Sequence, residues 1–88
     1  MGDVAVIYKI MPESLEVDLE TLKGNLIKEV EGKVKSHTIE EKPVAFGLKA
    51  IYLSIVVADQ GGTADAIQDA LGALEGVQSA EVETLTLI

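Results

Sequence analysis

Residues 42–58 read KPVAFGLKAIYLSIVVA, and the way this stretch divides decides the fold. Its second part, LKAIYLSIVVA (48–58), is an apolar, β-branched strand. Ile51, Leu53, Ile55 and Val57 share one face, with Lys49 in the same register at its start. The first part cannot extend that strand backwards. Pro43 has no N–H to give to a ladder and Gly47 weakens one, so KPVAFG is a bend. The bend also holds Phe46, the only phenylalanine in the chain, between Ala45 and Gly47. A lone Phe at a bend either folds back as a core anchor or projects toward a partner. Small neighbours, which let another backbone approach, favour the second use without excluding the first.

Before the bend, KVKSHTIEEK (33–42) alternates poorly and is rich in charge, as expected of an edge strand guarded by Lys and Glu. Earlier still, Leu19, Leu22, Leu26, Ile27 and Val30 fall at helical spacing, with Asp18 as N-cap and Gly32 as stop. Gly24 lies inside this helix and costs it ~1 kcal/mol relative to Ala. DVAVIYKIM (3–11) is a strand closed by Pro12. After the central strand, DQGGT (59–63) is a turn whose Thr63 is placed to cap a second helix. Ile67, Ala70, Leu71 and Leu74 form that helix's stripe, and Gly76 ends it. VQSAEVETLTLI, the final stretch, is β-rich.

The order is therefore β-α-β-β-α-β, two βαβ units joined at the bend. Right-handed crossovers place both helices on one face of a four-stranded antiparallel sheet. This is an α+β fold, the ferredoxin-like α/β sandwich with strand order 4-1-3-2, and it puts the charged second strand at an edge. The 88 residues predict a single domain spanning 1–88.

Composition excludes several functions of that fold. Without cysteine the chain holds no iron–sulfur cluster, thiolate metal site or disulfide. Without arginine it lacks the phosphate clamp of an acylphosphatase, and its central strands lack the aromatics of an RNA-recognition motif. Fifteen acidic residues against seven lysines give a net charge of −8. Residues 50–88 contain six acids and no base. That half repels phosphate backbones and anionic lipid, which argues against direct nucleic-acid or membrane binding. It would attract a basic protein surface, although simple solvation accounts for it equally well. No apolar run approaches the ~20 residues of a membrane span and no signal peptide is evident, so the expected location is the cytoplasm.

No catalytic constellation is visible. His37 is the only histidine, and it reads as an exposed edge-strand residue rather than a base or ligand. Glu40 and Glu41 are adjacent, so on a strand they point to opposite faces and cannot act as a carboxylate pair. The glycines of DQGGT are followed by no phosphate-loop Lys or Ser/Thr, which leaves a turn. The chain is expected to be no enzyme, with no cofactor and no metal.

The residues KPVAFGLKAIYLSIVVAD, a short Gly-Thr turn, a helix and a VQS-acidic-apolar ending together resemble the exchange domain of the elongation factor 1-beta family. In its eukaryotic members the bend reads close to P-[IV]-[AG]-F-G-[IL]-K-K, the third strand ends V-V-E-D, and the last strand opens V-Q-S. Pro43 to Lys49 match the first motif. Val56, Val57 and Asp59 match most of the second, and Val77, Gln78 and Ser79 match the third. The likeness in letters covers 40–88, while residues 1–39 follow the family's pattern of elements. At bare domain length the sequence resembles the archaeal form.

The resemblance implies guanine-nucleotide exchange on elongation factor 1-alpha, the GTPase that delivers aminoacyl-tRNA. It implies that Phe46, with Ala45 and Gly47, wedges against the GTPase, and that Lys49 orients that edge. It also implies a contact through the end of the last strand, where eukaryotic members carry a penultimate lysine that reaches toward the Mg²⁺ site. Here that position is Leu87, followed by Ile88, so any contact is steric rather than ionic. IQDALGALEGVQSAEVETL (67–85) also resembles the last helix and strand of ACT-type small-molecule-sensing modules. That alternative accounts for Gly76–Val77 but not for Pro43–Lys49.

Overall fold

The computed structural model describes residues 2–44, 47–58 and 62–88. Alternation builds its centre. Strand β1 (Asp3–Pro12) buries Val4, Val6, Tyr8 and Ile10 and leaves the intervening side chains half-buried on the opposite face. Helix α1 (Leu19–Val30) sets Leu22, Leu26 and Val30 against that buried face. Strand β2 (Ser36–Pro43) is mostly exposed. Strand β3 (Lys49–Ala58) contributes Ile51, Leu53, Ile55 and Val57, all at most 3% exposed. Helix α2 (Thr63–Gly72) adds Ile67 and Leu71, and strand β4 (Val77–Leu87) adds Val77.

The sheet is antiparallel throughout, in the order β2-β3-β1-β4, which is 4-1-3-2 read from the other side. The apolar stripes of both helices join the inward residues of the strands in one core, on one face of the sheet. This is the ferredoxin-like arrangement. β1 and β3 sit in the middle because they carry the longest apolar alternation, while β2 and β4, richer in charge and hydroxyls, take the edges.

Local signals place most boundaries. Asp18 caps α1: its carboxylate accepts from Glu20 N at 3.1 Å and from Thr21 Oγ1 at 2.9 Å. Gly32 follows the end of α1 at φ 82°, a left-handed position that a Cβ disfavours. Two expectations fail at α2. Thr63 is not its cap, because Gly62 at φ 83° turns the chain one residue earlier and its carbonyl accepts the first helical hydrogen bond, from Ala66 N at 2.9 Å. The helix also stops at Gly72 rather than Gly76. There the Ala73 N–H is shared between the carbonyls of Asp69 and Ala70, and the Leu74 N–H reaches back to Leu71, tightening the last turn. Leu74 nonetheless packs against the core. The second strand starts at Ser36, later than its sequence suggests, since residues 33–35 turn the chain out of α1.

No helix among the described residues is long and apolar enough to cross a membrane.

Candidate partner-binding ends of the sheet

The bend between β2 and β3 is closed by two backbone features. Pro43 stands opposite Lys49, and inside that pair Val44 N donates to Leu48 O at 2.8 Å. Gly47 is exposed and takes φ 78°, which only glycine adopts without strain. Ala45 and Phe46, the residues expected at the tip, lie outside the described residues.

Beside the bend, Leu15 from the β1–α1 loop stands 68% exposed. It shares a cleft of about 200 Å³ with Pro12, Val17, Leu19, Leu48 and Lys49. A Cβ added at Gly47 would come within 3.9 Å of the Leu15 side chain, so the two loops abut. Sequence reasoning missed Leu15. The available signal was an apolar residue, flanked by Ser14 and Glu16, that fits neither the strand before it nor the helix after it.

Lys49 is exposed at this end and its charge helps hold the Glu41 carboxyl below the usual range. The larger cause is Lys23 on α1, which donates to Glu41 and also pairs with Glu20 at 3.2 Å. Glu40 points the other way, toward Tyr52 on the open face, so the two glutamates do diverge. His37 is exposed on β2, as its sequence context suggested.

Leu87 and Ile88 stand elsewhere. Leu87 pairs with Val4, whereas Pro12, beside the bend, pairs with Val77. The eight residue steps of β1 from Val4 to Pro12 separate these points by ~27 Å at strand rise. Leu87 is 69% and Ile88 72% exposed. The site residues expected from sequence thus divide between opposite ends of the sheet, an apolar tip at one and the Gly47–Lys49 bend at the other.

Among the described residues, no group of three or more His, Cys, Asp or Glu could hold a metal ion, and no buried polar side-chain atom lacks a hydrogen-bond partner.

A family model described as the EF-1 guanine nucleotide exchange domain matches residues 5–88. The chain belongs to the elongation factor 1-beta family. It is 51% identical to the elongation factor 1-beta of Methanosphaerula palustris over 88 residues, covering 99% of each chain. Against that of Methanoculleus marisnigri it is 47% identical, covering 100% of each. Against that of Methanothermobacter thermautotrophicus it is 43% identical over 93% of this chain and 92% of the relative. Among solved structures, the de novo designed protein Foldit4 superposes with a TM-score of 0.66 over 96% of both chains at 20% identity, a likeness of fold alone. Membership of the elongation factor 1-beta family makes this an exchange-factor chain with a translational role, and the three relatives named above are archaeal.

Proposed function

We propose that this protein binds the GTPase elongation factor 1-alpha and accelerates its release of GDP, allowing GTP to reload. The observation that carries the reading is the match of nearly the whole chain to a guanine-nucleotide exchange domain. Such a factor makes and breaks no bonds. It binds most tightly to the GTPase state whose phosphate and Mg²⁺ contacts are disrupted, and by linkage a tightly bound nucleotide expels the factor. Acting on a translation GTPase, it works in the cytoplasm.

The separation of the two ends gives this binding a geometry. Lys49 at the bend, and Leu87 and Ile88 at the other end, cannot share one small pocket when ~27 Å of strand lies between them. They engage two separate regions of the GTPase, with the sheet as a rigid spacer. A thousand-fold acceleration needs ~4 kcal/mol of differential stabilisation, and one well-buried aromatic anchor supplies ~2 kcal/mol or somewhat more. Two ends acting together meet that requirement where the bend alone does not. Leu87 works by steric displacement, since it has no charge to compete with Mg²⁺.

The test is release of a fluorescent GDP analogue from the cognate elongation factor 1-alpha. Acceleration by sub-stoichiometric amounts of this protein is expected. An unchanged release rate, with folded protein and active GTPase, overturns the proposal.

A further inference from the structure

Strand β4 runs out from under the helix layer. Its register sets Leu87 opposite Val4, Leu85 opposite Val6 and Val82 opposite Tyr8. Directly paired side chains share a face of the sheet, so all three point to the side that carries the helices. Val82 and Leu85 are three residues apart and could not share a face in a regular strand. The pairing steps from Ile7–Thr84 to Tyr8–Val82, and this β-bulge at Glu83 restores the phase. Yet Val4, Val6 and Tyr8 are 6%, 0% and 0% exposed, while Leu85 and Val82 are 51% and 36% exposed and Leu87 more so.

The course of α2 explains the difference. Near its end, α2 lies on β4: Gln68 Nε2 donates to Ala80 O at 3.0 Å, and a Cβ at Gly72 would lie 4.0 Å from that of Ala80. At its start, Thr63 lines a recess with Val57 and Ala58 of β3. The helix therefore crosses diagonally off β4 toward β3. It leaves an uncovered apolar shelf along Val82, Leu85 and Leu87, bounded by the flank of α2 and by the outer edge of β4, the last strand of the sheet among the described residues.

The charges around this shelf are of one sign. Asp65 and Asp69, one turn apart on α2, are exposed, as is Glu83 at the bulge of β4, and residues 50–88 contain no base, while Glu81 pairs with Lys9 on the open face. A second copy paired edge to edge would bring these acids toward their own counterparts. A strand added to the β4 edge would satisfy backbone groups but leave the apolar row bare, because that row faces the helix side. An added helix lying beside α2 covers it. The five residue steps from Val82 to Leu87 span ~17 Å, the length of ~11 helical residues.

We propose that the β4 shelf receives a basic amphipathic helix of the partner GTPase, about three turns long. The apolar stripe of that helix would rest on Val82, Leu85 and Leu87, and its Lys and Arg would face Asp65, Asp69 and Glu83. The inference rests on the exchange-factor reading and names the kind of surface that reading requires.

The experiment compares binding of elongation factor 1-alpha by wild-type protein, Leu85→Asp and Thr84→Asp, each checked for folding by circular dichroism. Thr84 pairs with Ile7 on the open face and serves as the control. Leu85→Asp should weaken binding by roughly thirty-fold or more, as for a hot-spot residue, and Thr84→Asp by less than about three-fold. Hydrogen exchange on the GTPase in the complex should show new protection in a Lys/Arg-bearing helix, lost with Leu85→Asp. Equal binding by all three proteins, with wild type still accelerating GDP release, overturns the shelf and leaves the exchange function standing. Protection confined to a strand or loop, or a wild-type dimer that Leu85→Asp dissociates, also overturns it. A wild-type protein that neither binds nor accelerates removes the exchange reading and the shelf together.

Discussion

The Tyr8 hydroxyl, in the middle of the central strand, donates to the Ala64 carbonyl in the first turn of α2 at 2.8 Å. Tyr8 is fully buried, so this bond is its polar outlet, and it ties the start of α2 to the sheet where the helix leaves β4. Burial first, and the nearby Asp65 charge second, raise the Tyr8 phenol from 10.0 to about 12. The folded state therefore holds this proton more tightly than the unfolded chain. Its stabilisation is complete below pH 10 and lost as pH rises toward about 12. In a Tyr52→Phe background, ultraviolet titration should show the remaining tyrosine ionising only near that upper limit or together with unfolding. Tyr8→Phe should cost ~1 kcal/mol in a denaturant melt.

At the other side of the core, Lys23 of α1 donates to Glu41 of β2. This hydrogen bond, aided by the charges of Lys23 and Lys49, holds the Glu41 carboxyl below its ordinary 4.5, with desolvation opposing. A lowered folded value means that the stabilisation is present above pH 4.5 and is lost as pH falls through the folded value. Glu41→Gln should be less stable than wild type at pH 7, and the gap should close in melts taken at progressively lower acid pH.

Gly24 gives the opposite kind of prediction. It lies within α1, is exposed, and a Cβ there would meet nothing within 4 Å. Gly24→Ala should raise stability by ~1 kcal/mol, through helix propensity alone, without altering GDP release. A loss of stability would mean that this helix face is covered by something.

Asp18 is the helix cap best supported by contacts, accepting from both Glu20 N and Thr21 Oγ1. Those bonds hold its carboxyl below 3.8, so their contribution is present above that pH and fades below it. Asp18→Ala should be less stable than wild type at pH 7, read from the shift of a urea midpoint at constant slope.

Phe46→Ala addresses the bend. A partner contact predicts a fold within ~1 kcal/mol of wild type and a loss of at least ~10-fold in exchange activity. A destabilisation of ~3–5 kcal/mol would instead mark the ring as part of the core.

The order of elements could be read from local chemistry alone. A period of two in 3–11 and 48–58, a helical period in 19–30 and 63–74, the Asp18 cap and the Pro43–Gly47 bend each act within a few residues. With the handedness of βαβ crossovers, they determine the sheet order. The family motif in 43–49 was equally local, a run of side chains and backbone needs that require no partner elsewhere in the chain. What the letters of the last strand could not give was the neighbour of each residue. Val82, Leu85 and Leu87 look like core residues by composition, and their register with Val4, Val6 and Tyr8 does turn them inward. Whether inward means buried depended on the diagonal path of α2, set by Gly62, the early stop at Gly72 and the Tyr8 and Gln68 hydrogen bonds. Likewise, that the bend and Leu87 stand at opposite ends followed only from the antiparallel pairing of β1 with β3 and β4. Periodicity gives which way a side chain points in a regular stretch, but the bulge at Glu83, which lets Val82 and Leu85 share a face, is seen only in the pairing with β1. Exposure and distance belong to pairs of elements far apart in sequence, so only the packed fold decided them.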